Sequence, residues 1–398
     1  MSYICAMAKY VIIILAALMA FLDYRAYLKL LRNNACKTLR KLFAWIIPVS
    51  YLILFTSPFF MFMIRNENNN RDMMILSMAI LTFYIIFSVT RMIFYIFWLP
   101  SKRRFWTWTG SVISFAVLLS FLYGIFVTRT DYEVKEIDVS FRNLPDAFDG
   151  YRVAFISDIH IGSMLNVERE LKEVVEIINS TGADMLLFGG DIVNIYSSEL
   201  DSRILDILSS VKCSDGVFSV LGNHDTGAYT KKATPAFLEL NRSNLSKAMS
   251  SIGWVMLRDS TVYISKDNDS IAITGIDYSD ELLAHKHSLG TIKGFDVSRI
   301  YENVPDDMFN ITVSHLPQLW NVLCEGGYSD LTLSGHIHAM QIKYFSISPA
   351  MFMYDNWSGL YENEKGKLYI NDGIGSVAFI ARFGARPEIT VINLSKSK

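Results

Sequence analysis

Residues 153–162 read VAFISDIHIG, an apolar run rich in β-branched and aromatic side chains that breaks into Asp158 and His160. Such a run, bounded by turn-forming residues, predicts a strand covered on both faces. The same pattern returns four times: MLLFGGD (185–191) carries Asp191, VFSVLGNHD (217–225) Asn223, ITVSHLP (311–317) His315, and LTLSGHIH (331–338) His336 and His338. In sheets of these strands, ligands collect just beyond the carboxyl ends. Five of the seven histidines, His160, His224, His315, His336 and His338, fall inside the five blocks. One block alone is an ordinary polar loop. Five in order, each on its own strand end, point to a binuclear metal enzyme.

Between the strands the apolar period changes from two to 3.6. Asn166 is placed to cap a helix whose apolar residues recur at Leu171, Val174, Val175 and Ile178 until Gly182 ends it. Residues 199–210 and 243–252 repeat the helical period, and Pro317 opens a helix that closes at Gly326 and Gly327. IAITGI (271–276) is a sixth strand, leading to Asp277, and KLYINDGIG, SVAFIAR and EITVINL read as further strands. This alternation predicts an α/β domain, a β-sandwich of two sheets flanked by helices.

The residues in the blocks suit phosphoryl chemistry. Hydrolysing a phosphate ester at neutral pH needs a nucleophile stronger than water and neutralisation of charge on the phosphoryl oxygens. Two divalent cations about 3.5–4 Å apart supply both, with a shared hydroxide as the attacking group. Such a pair needs a bridging carboxylate. Asp191 is the candidate, because Gly189 and Gly190 before it permit a sharp turn and close approach. Asp158 with His160, and His336 with His338, fall on one side of an extended loop if each pair keeps the period of two, and Gly335 clears room. Imidazole, carboxylate and one amide oxygen without thiolate fit Mn²⁺, Fe²⁺ or Zn²⁺ and argue against a structural zinc site.

The front of the chain differs in kind. Hydrophobic residues make up 51% of the whole, and the excess lies before residue 130. Residues 1–130 carry 14 Lys+Arg against 3 Asp+Glu, a net of +11, whereas the remainder has a net of −13. The division is between an α-helical membrane domain of four helices, 1–130, and a catalytic domain, 131–398. Residues 42–64 and 105–128 hold no charge, 73–99 hold only Arg91, and the first stretch, roughly 3–23, has Lys9 and Asp23 toward its ends. About 20 apolar residues suffice to cross the hydrocarbon core. The apolar core of the first stretch, 10–22, is short enough for a signal peptide, but slight charge before it and heavy charge after it favour a span. Six Lys/Arg in 24–41 and three in 100–104 mark cytoplasmic loops, and Arg91 can snorkel to the same side. The 65–72 loop and everything after residue 130 then lie outside the cytoplasm in a multi-pass inner-membrane protein. No cluster of buried charges is expected in the spans.

In order, D-x-H, G-D, G-N-H-D, a lone His and G-H-x-H resemble the calcineurin-like metallophosphoesterase superfamily, from about residue 131 to the end. The lead-in LPDAFDGYRVAFISDIHIG and the closing GLY…INDGIG…RFGARPEITVINL look like its YkuE/YaeI-type branch of membrane-associated bacterial phosphoesterases. The resemblance implies Asp158, His160, Asp191 and His338 on one metal, and Asp191, Asn223, His315 and His336 on the other. It also implies that His224 stabilises the phosphate and protonates the leaving oxygen, with Asp225 holding its ring. Both roles suit a non-ligating His beside a ligand. Asn194 departs from the pattern, standing where members often have an Asp.

The expected activity is membrane-anchored hydrolysis of a phosphate mono- or diester, with lipid-linked or cell-envelope substrates in range. The alternatives are a pyrophosphatase of a nucleotide-linked lipid, or a non-catalytic sensor or scaffold, which would be expected to have lost ligands. Residues 226–247 and 278–300 can overhang the pocket, with Tyr229, Lys231, Lys232, His285 and His287 placed either to meet a phosphate or to be solvated. Asp277 can look toward the site, although the ligand set is complete without it. The lipid bilayer and a phosphate ester are the expected partners, and the acidic second half argues against nucleic acid. Cys213 and Cys324 read as free thiols.

Overall fold

The computed structural model describes residues 3–32, 37–64, 71–230, 233–285 and 287–397. It divides into two compact units: Met1–Ile64, Asp72–Val127 and Ala378–Ala381 in one, and Arg65–Arg71, Thr128–Val377 and Arg382–Lys398 in the other.

The first unit is built on α1 (Tyr3–Arg32), α2 (Lys37–Ile64), α3 (Arg71–Trp98) and α4 (Arg104–Phe126). Among the described residues, Arg71–Trp98 and Arg104–Thr130 are long and apolar enough to cross a membrane. Charges do meet inside this unit, contrary to expectation. Asp23 of α1 is buried and accepts hydrogen bonds from the hydroxyls of Tyr51 (2.9 Å) and Tyr95 (2.8 Å). Arg91 of α3 brings Nη1 to 3.3 Å from Asp23 Oδ2. A carboxylate and a guanidinium on neighbouring apolar helices lower their desolvation cost by pairing, so Arg91 turns to Asp23.

The second unit holds the strands β1 (Glu133–Phe141), β2 (Arg152–Ile156), β3 (Met185–Phe188), β4 (Val217–Ser219), β5 (Trp254–Met256), β6 (Ser260–Lys266), β7 (Asp269–Gly275), β8 (Asn310–Val313), β9 (Leu331–Ser334), β10 (Gly359–Asn363), β11 (Gly366–Ile370) and β12 (Glu388–Lys396). Helices α5 (Val167–Ser180), α6 (Ser202–Leu208), α7 (Pro235–Ser251), α8 (Asp280–Ala284) and α9 (Trp320–Glu325) lie between them in sequence. Among the described residues the strands form two six-stranded sheets, ordered β1-β12-β2-β3-β4-β5 and β10-β11-β9-β8-β7-β6. Strands β2 to β5 run parallel in the first sheet, and β7, β8, β9 and β11 in the second.

Alternation along each strand divides the core. Val153, Phe155, Met185 and Leu187 share a cluster with Ile271, Ile273, Ile311, Val313, Leu331 and Leu333 of the other sheet. Ala154, Ile156, Leu186 and Phe188 lie with Leu171, Val174, Val175 and Ile178 of α5 and with Leu245 and Met249 of α7. Both faces are covered, which is why these strands read as unbroken apolar runs. Asn166 caps α5 as expected, accepting the Arg169 N–H at 3.2 Å. SVAFIAR, by contrast, is not a strand. Arg382 is fully buried there and donates to the carbonyls of Asp372, Gly375 and Ala385. A buried guanidinium needs several acceptors at once, and free loop carbonyls provide them where a strand would commit its own to the ladder.

Candidate metal centre

Each candidate ligand lies within four residues of the end of its strand, and the parallel strands bring those ends together. The donor atoms of Asp158, His160 and His338 lie within 4.8 Å of one another, as do those of Asp158, Asp191 and His315. Asp191 Oδ2 stands 3.6 Å from His160 Nε2 and 3.2 Å from His315 Nε2, so one oxygen faces a histidine of each group. Asp158 Oδ1 is 2.9 Å from His338 Nε2. Asn223 Oδ1 lies 3.0 Å from His315 Nε2 and 2.8 Å from His336 Nδ1. His336 is half-buried and the other six are buried.

The pairs converge by a different route from the one expected. Asp158, His160, Asp191, His336 and His338 have φ of 54°, 45°, 60°, 75° and 53°. This is the left-handed region, costly for residues with a Cβ and held only where the surroundings enforce it. Extended backbone would set i and i+2 side chains about 6.6 Å apart. Turning the chain at each ligand closes that gap. The Asp158 N–H donates to the Gly190 carbonyl (2.8 Å) and the His160 N–H to that of Asp191 (3.1 Å), knitting the two loops into this shape. Space is made by glycine: a Cβ on Gly222 would fall 2.1 Å from Asp191 Oδ1, and one on Gly335 2.4 Å from Asp158 Oδ2.

The electrostatics suit cation ligands. His315 Nδ1 lies 2.8 Å from the Gly189 carbonyl, which turns Nε2 toward the carboxylates. Burial disfavours its protonated form, but Asp191 and Asp158 outweigh burial and lift its pKa to about 9. Burial alone would raise the two carboxyls, yet His338 holds Asp158 and His315 holds Asp191 well below the usual carboxylate range. Burial, then neighbouring His224, pushes His160 down. Burial, then His315, takes His336 to about 3. His160 Nδ1 and Nε2 and His338 Nδ1 are buried without a hydrogen-bond partner. Each neutral ring has one lone pair, and leaving it buried and unpaired beside two carboxylates is costly unless a cation takes it. The donor set therefore fits divalent metal ions, with no sulfur among the donors.

His224 stands beside this set. Its ring meets His160 edge-on at 4.8 Å, its backbone N–H donates to Asp191 Oδ1 at 2.8 Å, and its Nδ1 lies 2.7 Å from the Asn194 carbonyl. The expected grip of Asp225 on the ring is corrected here. Asp225 accepts the backbone N–H groups of Asp191, Ile192, Val193 and Gly222 at 2.7, 3.0, 3.1 and 2.9 Å. Burial and then the Asp191 charge push its pKa up to about 7. Two buried loops left several N–H groups needing an acceptor, and the nearest carboxylate answers them. Asn194 anchors the His224 ring through its main chain, so its departure from Asp leaves that anchor in place.

Sequence reasoning left Tyr229 open and missed Tyr278. Tyr229 stacks on His224 at 4.3 Å and 18°, and its hydroxyl accepts from Asn223 Nδ2 at 2.8 Å, which turns Asn223 Oδ1 toward His315 and His336. Tyr278 meets the His315 ring edge-on at 5.7 Å. Its signal was its place just past the sixth strand, where Asp277 drew attention. Asp277 instead pairs with Arg258 at 3.0 Å. His285 Nδ1 lies 3.3 Å from Ser288 Oγ, and Lys231 and Lys232 lie outside the described residues. Cys213 and Cys324 are free, and burial pushes both thiols up to about 11.

Comparison with known proteins adds to this geometry. Residues 151–340 match the family described as calcineurin-like phosphoesterase. The chain is 28% identical over 271 residues to YkuE of Bacillus subtilis, an uncharacterized metallophosphoesterase, covering 67% of this chain and 86% of that protein. It is 26% identical over 278 residues to a Danio rerio transmembrane protein with metallophosphoesterase domain, covering 69% of this chain and 60% of that one. It is 25% identical over 276 residues to LpxG of Chlamydia muridarum, a UDP-2,3-diacylglucosamine pyrophosphatase, covering 61% and 83% respectively.

Proposed function

We propose that the chain is a calcineurin-like metallophosphoesterase, a hydrolase of phosphoric esters, that works with two divalent cations, Mn, Fe or Zn, on a phosphate ester at the outer face of the membrane that anchors it. The observation that supports this reading is the meeting of Asp158, His160, Asp191, His315 and His338, with Asn223 and His336 against them, beside ring nitrogens left unpaired. Asp158, His160, Asp191 and His338 would hold one cation, and Asp191, Asn223, His315 and His336 the other. Bound there, the cations supply activation of water and neutralisation of phosphoryl charge.

The remaining work falls to the chain's own side chains. When doubly protonated, His224 donates Nδ1–H to the Asn194 carbonyl and keeps Nε2–H to bind a phosphoryl oxygen and to pass that proton to the leaving oxygen, ending as the neutral ring that its burial favours. Tyr229 backs that ring and orients the Asn223 amide. Asp225 holds the loops that carry Asp191 and Asn223.

Anchoring by four spans with the second unit outside the cytoplasm is supported by the basic loops 24–41 and 100–104 and by the two apolar helices. A lipid-linked or envelope ester is then within reach. A nucleotide-linked lipid pyrophosphate is a second reading, favoured by the likeness to LpxG. Metal analysis of the purified chain, followed by assay on phosphomonoesters, diesters and pyrophosphate lipids, tests both. Two metals per chain and turnover of one class are expected; a metal-loaded protein inert toward all three classes overturns the proposal.

A further inference from the structure

Residues 344–354, YFSISPAMFMY, begin six residues after His338 and contain no charge. Phe345 is 99% exposed, Phe352 81% and Ile347 59%, and Met351 and Met353 are exposed as well. A run of exposed apolar side chains so soon after a candidate ligand in the chain marks a surface that meets an apolar partner.

The tip carries a second sign. Tyr344 and Ile347 exchange backbone hydrogen bonds at 2.9 and 2.8 Å, and between them Phe345 and Ser346 have φ of 49° and 64°. A two-residue hairpin turn with both central residues left-handed is the place for Asn-Gly. A bulky phenylalanine there is disfavoured by its backbone and, wholly exposed, by its side chain. The base of the loop is fixed, however. Ser348 and Ala350 are buried, Ser348 Oγ donates to the Ala339 carbonyl at 2.7 Å, and Lys343 Nζ bonds Asp372 Oδ2 at 2.7 Å. The apolar tip is thus held out on a rigid stem.

We infer that residues 344–354 seat in the lipid bilayer and bring the rim of the metal centre to the headgroup layer, so that the ester attacked is that of a membrane lipid. The chain itself supplies the reason for this occupant. It holds helices long and apolar enough to cross a bilayer, and the six residues 127–132 between α4 and β1 span at most about 20 Å. A bilayer crossed by α4 is therefore always within reach of the second unit. Tyr344, Tyr354 and Trp357, with Lys343 Nζ 5.7 Å from the Trp357 ring, supply the aromatic and basic side chains favoured at the membrane–water interface.

The inference rests on the proposed anchoring, and the experiment separates the two. The full chain is reconstituted in lipid nanodiscs, and co-purification with the discs tests the anchoring by itself. Phe345→Trp and, separately, Phe352→Trp are then compared with the parent for the added tryptophan emission. We expect that emission to be lost in discs of acyl-brominated phospholipid and to resist aqueous iodide. Loss to iodide with no effect of bromine places the loop in water and overturns the inference. Emission protected from both quenchers assigns the surface to a second copy or another protein, and overturns it as well. Two probe positions guard against one variant that misfolds.

Discussion

Asp191 is the residue on which the site turns, because its Oδ2 faces a histidine of each ligand group while its Oδ1 takes the His224 N–H. Asp191→Asn keeps the shape and removes the charge. Hydrolysis is expected to vanish and metal content to fall, read by elemental analysis beside the assay; full activity with two metals retained rules out the bridging role. His224 is a different case, since it lies among the ligands without being counted as one. His224→Ala should preserve metal stoichiometry and slow turnover of an alkyl ester by about 10²–10⁴-fold. A nitrophenyl ester, whose leaving group is stable as an anion, should lose much less. Equal losses on the two esters assign the ring to phosphate binding alone, and a lost metal assigns it to ligation.

Among the elements, the loops after β3 and β4 depend on one carboxylate. Asp225 gathers four buried N–H groups from both loops. Asp225→Ala leaves them without an acceptor and should cost about 3–5 kcal/mol, measured as a lower unfolding midpoint of the full chain. A group that only oriented a ring would change the rate and leave the midpoint where it was. The strands and ligand types at this scale were legible because apolar runs and their turn residues are local signals. The left-handed turns at Asp158, His160, Asp191, His336 and His338 were not. Nothing in D-x-H or H-x-H distinguishes an extended pair from a doubly turned one. That choice is made by hydrogen bonds from the neighbouring loop, such as Asp158 N–H to Gly190.

For the whole molecule, protons and metals compete. Asp191 and Asp158 overcome burial to keep His315 protonated up to about pH 9 in the metal-free protein. A cation held by His315 would have to displace the Nε2 proton, so its binding would strengthen as pH rises toward that value and level off beyond it. Ligand binding to the native state raises its stability. The gain in Tm on adding Mn²⁺ to chelator-treated protein should therefore grow from about pH 6 to about pH 9, and a gain flat across that range counts against His315 as a ligand. Topology has its own check. A reporter fused to the carboxyl terminus should be active only if it reports export, whereas a tail shielded from external protease reverses the proposed orientation.

Short windows of sequence were enough for what short-range chemistry controls. Five apolar runs ending in ligand-type residues, the change in charge near residue 130 and the Asn166 cap all depend on neighbours a few positions away. Tertiary structure alone decided which groups meet. The His336 N–H and Asp158 are 178 residues apart in the chain yet 3.1 Å apart in space. Asp23 turns to Arg91, Asp225 to backbone in place of a ring, and Tyr229 stacks on His224. Each of these pairings follows from satisfying buried polar groups together, and which acceptor lies nearest to a buried donor is set only once the sheets have closed.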